Sequence, residues 1–144
     1  MSSGEYDGTG PDRRGQPAGE VYDWYVRGLE LLDSGNAEAA ASILAHAHAR
    51  EPESASILEA LARASFDARR YEEAHRLFDR LVSAEPDNDY ARFGLGLSRM
   101  RTGDFPGAVE QLALATVMRP GRDEYEEALR QARATVRARR EDGR

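Results

Sequence analysis

No cysteine and no lysine occur in the 144 residues, tryptophan occurs once, and aromatic residues make up only 8%. Without cysteine there can be no disulfide, no thiolate nucleophile and no cysteine-held metal. No run approaches the roughly 20 apolar residues that a membrane-spanning helix requires. The N-terminal residues lack the charged-then-apolar layout of a secretory signal, so a cytoplasmic protein is expected. β-Branched residues are sparse and nothing alternates with a period of two, which gives little basis for a sheet. A dedicated nucleic-acid binder usually shows a basic face, whereas the formal net charge here is -6.

What is present is arginine and alanine. The basic residues are 20 Arg, set beside 23 Ala, a bias seen in high-GC bacteria such as actinobacteria; a bacterial source is expected. Arginine stays charged and forks to carboxylates where lysine would act as a point charge. The length suits one domain with a real core. Residues 1–20 hold five Gly and two Pro with no periodic apolar positions, and a disordered tail is expected there. Residues 141–144 are expected to be a disordered C-terminus.

From residue 21 onward Leu and Ala recur at spacings of three and four, in segments closed by Gly, Asn or Pro. Glu51-Pro52, Glu85-Pro86 and Arg119-Pro120 are 34 residues apart. The same shift aligns Gly28, Ala62 and Gly96; Ala40, Ala74 and Ala108; Leu44, Phe78 and Leu112; and Ala47, Leu81 and Ala115. Gly35 returns as Gly103, and Ala37, Tyr71 and Phe105 share a place two residues further on. Small residues on one helix allow close approach of another, and large apolar residues fill the space beside them. A mid-repeat Gly makes the turn between two helices, and a Pro stops the second.

This pattern resembles the tetratricopeptide repeat family, whose unit is a 34-residue helix–turn–helix. The resemblance covers residues 21–122 as repeats 21–54, 55–88 and 89–122, with Trp24, Gly28 and Leu31 at family positions. Departures are Arg27 and Arg92 at normally apolar places, Arg69 where a turn Gly is common, and Ser65 and Arg99 at large-residue places. The implied fold is all-α, a right-handed α-solenoid of helix–turn–helix repeats. Seven helices are expected, near 21–34, 36–49, 54–68, 71–84, 88–102 and 105–118, with a capping helix over 123–140 that closes a domain spanning 21–140. That last helix carries Tyr125, Leu129, Ala132 and Val136 as an apolar stripe, acids in its first turns and Arg137, Arg139 and Arg140 at its end.

No catalytic constellation is evident. His46 and His48 are two apart and point about 200° from each other on a helix, so they share no metal site with each other, and His75 lies in the next repeat. Gly94-Leu95-Gly96 falls mid-helix, where a phosphate-binding glycine loop cannot form. No Ser sits in a Gly-x-Ser-x-Gly elbow, and Glu72-Glu73 suits a helix start. No enzyme, no cofactor and no metal are expected.

The resemblance implies a concave face lined by the first helix of each repeat, where peptides or partner helices bind. Carried over residue by residue, the partner-binding stripe is Tyr22, Tyr25 and Leu29; then Ser56, Glu59, Arg63 and Asp67; then Tyr90, Phe93, Leu97 and Arg101. Their spacing independently places each set on one helical face. Aromatics and Arg bring large area and forked hydrogen bonds, the traits of binding hot spots. The alternative for Tyr25 and Phe93 is packing between neighbouring helices. Family members that clamp a C-terminal carboxylate use Lys and Asn, whereas this chain has Tyr25, Leu29, Ala60, Tyr90 and Gly94 at those places. The expected function is a protein–protein interaction module for a peptide or partner helix. Alternatives are a self-assembling, homo-oligomeric scaffold, or binding of anionic surfaces or nucleic acid through Arg130, Arg133, Arg137 and Arg140.

Overall fold

The computed structural model describes residues 19–143. The expected N-terminal tail falls almost wholly in residues 1–18, and these, with residue 144, lie outside the described residues. Seven helices and no strand occur among the described residues. They are α1 (Gly19–Asp33), α2 (Ala37–Arg50), α3 (Ala55–Asp67), α4 (Tyr71–Ala84), α5 (Asp89–Thr102), α6 (Phe105–Met118) and α7 (Asp123–Glu141). Two compact units divide them, the first ending at Ala68 and the second beginning at Arg69.

Two expected boundaries shift. Gly19 and Glu20 belong to α1 rather than to a tail, and Glu20 pairs with Arg50 at the end of α2 at 3.7 Å. At the other end α7 includes Glu141, and the Asp142 N–H still bonds to the Ala138 carbonyl at 3.1 Å.

The 34-residue period is written into the backbone. Glu51, Glu85 and Arg119 each precede proline, which bars them from helical geometry, and their φ/ψ pairs are -134°/73°, -134°/78° and -137°/81°. The helices restart at Ser54, Asn88 and Arg122. Ser54 Oγ accepts from the Ile57 N–H at 3.3 Å and Asn88 Oδ1 from the Ala91 N–H at 3.0 Å, satisfying amides that a helix start leaves orphaned. Arg122 makes no such bond. Between the helices of the first and third repeats, Gly35 and Gly103 take φ of +84° and +94°. The Asn36 and Asp104 N–H groups reach back to the Leu31 and Arg99 carbonyls, each at 2.8 Å, closing the Schellman turn that a left-handed residue permits.

In the first unit α2 packs on α1 and α3, and α1 touches α3. A Cβ on Gly28 would stand 2.5 Å from Leu44 Cγ, so the glycine is the seat for that leucine. Val21, Ala47 and Ile57 form a buried cluster flanked by Trp24 and Tyr25. In the second unit the chain of contacts runs α4, α5, α6, α7, with α7 also touching α5. Gly96 seats Leu112 as Gly28 seats Leu44, with a notional Cβ 2.7 Å from Leu112 Cγ, while Gly94 receives the Phe78 ring. Phe93, Ala108, Leu112, Ala115, Tyr125, Leu129 and Ala132 make one buried cluster there.

Candidate functional site

In the first unit Tyr22, Tyr25 and Leu29 on α1, and Ser56, Glu59 and Arg63 on α3, are all half-buried. The Tyr22 and Tyr25 rings lie 6.5 Å apart, tilted by 50°. Tyr25 is hydrogen-bonded to the Ser56 side chain. Burial lifts its phenol above the usual pKa; Glu59 and Tyr22 add to the lift and the Ser56 bond opposes it. Arg63 reaches Asp33 at 3.6 Å, which directs its guanidinium toward the end of α1. Two aromatic bodies with polar tips, an aliphatic side chain and both signs of charge are therefore present together on α1 and α3.

The stripe on α5 in the second unit divides differently. Phe93 is 8% exposed and stacks on Tyr125 of α7 with ring centroids 4.6 Å apart. It is core, and its place in a binding stripe is corrected accordingly. The helical spacing that selected it locates a face of α5 but does not show that α7 covers it. Tyr90 is half-buried between Phe78 at 6.2 Å and Phe93 at 6.3 Å, and Leu97 is half-buried against the same cluster. Arg101 is exposed but lies over the Tyr71 ring at 5.0 Å and donates to its hydroxyl at 3.2 Å.

Two of the residues that depart from the repeat pattern, Arg92 and Arg99, and the Tyr125–Asp89 pair bind helices to one another. Arg92 donates twice to the Pro86 carbonyl, at 3.2 and 3.1 Å, and once to Gln111 Oε1 at 3.2 Å. Arg99 donates to His75 Nε2 and to the Gly107 carbonyl, both at 3.5 Å. Tyr125 is fully buried and its hydroxyl donates to Asp89 Oδ2 at 2.7 Å, while Arg119 stands 3.4 Å from the other carboxylate oxygen. Burial and this bond push the Tyr125 pKa up to about 12. Burial works against ionising Asp89, but the Tyr125 bond and the Arg119 and Arg122 charges prevail and hold its pKa below the ordinary value. No group of three or more metal-ligating side chains occurs among the described residues, and no helix there is long and apolar enough to cross a membrane.

One concave surface joins part of the expected arginine stripe of α7 to apolar side chains of α6 that were not anticipated beside it. It lies between α6 and α7, where Pro106, Val109 and Val136 meet Arg133, Arg137 and Arg140 in a cleft of about 390 Å³. The unusually apolar composition of α6, which supplies Pro106 and Val109, was the available signal.

Comparison with known proteins agrees with this architecture. The chain matches the tetratricopeptide repeat family over residues 25–74 and 59–124, and it belongs to that family. Such repeats form a helical-repeat solenoid fold that serves as a scaffold for protein–protein interaction. The TPR domain of Sgt2 from Aspergillus fumigatus superposes with a TM-score of 0.78 at 22% identity, over 91% of this chain and 88% of that one. MamA from Desulfovibrio magneticus RS-1 gives 0.77 at 17% identity, over 81% and 66%. MamA of AMB-1 gives 0.71 at 20% identity, and the match spans 64% of its length and 81% of this chain. At these identities the likeness concerns the fold. No curated protein matches the chain significantly.

Proposed function

We propose that the chain is a non-enzymatic interaction module whose first-helix faces bind a peptide segment or a partner helix. The observation that carries the reading is the half-buried Tyr22–Tyr25 pair beside Leu29, Glu59 and Arg63 on α1 and α3. Tyrosines of this kind offer large contact area and a hydrogen-bonding tip at low entropic cost, the profile of a hot spot. Tyr90, Leu97 and Arg101 on α5 offer a smaller counterpart in the second unit. The described polar clusters support a non-catalytic role, because Arg92–Gln111, Arg99–His75 and Tyr125–Asp89 each join one helix to another.

The test is affinity capture from the native host by wild type and by Tyr22→Ala/Tyr25→Ala, run in parallel and followed by titration of the captured partner. Losing two central anchors should weaken binding by at least about thirtyfold while the circular dichroism melt moves modestly. A partner held equally by both proteins would overturn the assignment of this face.

A further inference from the structure

The cleft between α6 and α7 gathers three arginines around apolar side chains. In the 34-residue register Arg130 falls in the column of Gly28, Ala62 and Gly96, and Arg137 in the column of Gly35 and Gly103. Gly96 is where α5 seats α6. The corresponding face of α7 carries arginine, and α7 continues helically through Arg137 to Glu141 without the turn. Among the described residues α7 packs only on α5 and α6, so this face is uncovered.

Its chemistry is segregated. Asp123, Glu124, Glu126 and Glu127 occupy the start of α7, and Arg133, Arg137, Arg139 and Arg140 its end. Arg130 is paired with Glu127 and Arg139 lies over the Phe105 ring at 4.9 Å, which fixes the end of α7 against the start of α6. Among the described residues Arg133, Arg137 and Arg140 have no carboxylate partner. They surround the apolar floor of Pro106, Val109 and Val136, and an adjoining hollow of about 350 Å³ extends the cleft past Leu129 to Glu126. From Glu126 to Arg140 the axis of α7 rises roughly 21 Å, the length of about four helical turns.

We propose that this cleft docks an acidic amphipathic helix of a partner protein. Its apolar stripe would lie on Pro106, Val109 and Val136, and its carboxylates would meet Arg133, Arg137 and Arg140. A guanidinium forks to a carboxylate in a way that fixes orientation as well as charge. Nucleic acid fits less well, because a phosphate backbone has no use for the apolar floor of Pro106, Val109 and Val136.

The probe is a capped, fluorescein-labelled peptide of about 18 residues with leucine at i, i+3 and i+7 and glutamate on the flanking positions. Anisotropy should show saturable binding, with amide shifts at Val109, Arg133, Val136 and Arg137. Arg133→Glu/Arg137→Glu, with an unchanged melt, should weaken binding at least about tenfold, and added salt should weaken the wild type further. If that variant does not fold, Arg133→Gln/Arg137→Gln decides, with a smaller loss expected. Absence of saturable binding, equal binding by the variants, equal binding of a peptide with lysine for glutamate, or shifts on α1 and α3 instead would overturn the proposal. So would tighter occupation of the cleft by a duplex oligonucleotide or anionic vesicles.

Discussion

Arg69 holds a backbone conformation that its counterparts in the first and third repeats leave to glycine: its φ is +66°, against +84° at Gly35 and +94° at Gly103. A side chain in the left-handed region suffers contact between Cβ and the carbonyl oxygen, at roughly 1–2 kcal/mol. Glycine escapes that contact but gives back part of the gain through the entropy of its unfolded state. Arg69→Gly should therefore stabilise the chain by about 0.5–1 kcal/mol, read as a higher denaturant midpoint at unchanged slope. A midpoint that falls would show that the Arg69 side chain contributes more than its backbone loses. Other departures from the repeat pattern resolve differently. Arg92 and Arg99 bond across helices, and Arg27 simply lies exposed with its guanidinium 3.4 Å from Glu30. Ser65 is fully buried, its hydroxyl has no hydrogen-bond partner among the described residues, and nothing in the structure explains its choice over alanine.

At the scale of elements, α7 is the helix on which the second unit's core depends. Tyr125, Leu129 and Ala132 cover Phe93, Leu112 and Ala115. Truncation after Pro120 exposes that apolar surface, and aggregation or loss of cooperative unfolding is expected. A soluble fragment as stable as the whole would contradict the capping role. The Tyr125–Asp89 bond adds a pH signature. Asp89 has a lowered pKa in the folded state, so its contribution is present above the unfolded value and is lost as pH falls through the folded one. Tyr125 is raised, so its contribution is present below the ordinary value near 10 and is lost as pH rises toward about 12. Tyr125→Phe should lower stability at neutral pH by about 1–2 kcal/mol and flatten both limbs of the stability–pH curve. Limbs unchanged from wild type would show that other groups govern them.

For the molecule as a whole, the fold was legible in the sequence because it rests on local and periodic devices. A proline every 34 residues, small residues facing Leu44 and Leu112, and glycine turns all recur at fixed offsets, and the structure uses each where the register puts it. The α7 stripe was readable for the same reason. The candidate site was less so, because periodicity names a helical face without naming its neighbour. Tyr25 and Phe93 lie on corresponding faces of first helices, yet only Phe93 meets a stacked ring from α7. The α6/α7 cleft was hidden similarly, since Pro106 and Val109 come from α6 while Val136 and the arginines come from α7.

The division of these aromatics between core and surface is the claim on which the proposed binding face stands. Urea unfolding of Phe93→Ala and Tyr22→Ala beside wild type tests it directly. Phe93→Ala removes a buried ring and should cost about 3–5 kcal/mol. Tyr22→Ala removes a half-buried one and should cost less than about 1 kcal/mol, leaving a folded protein whose binding can be measured. Comparable losses from the two substitutions would place Tyr22 in the core and contradict the account.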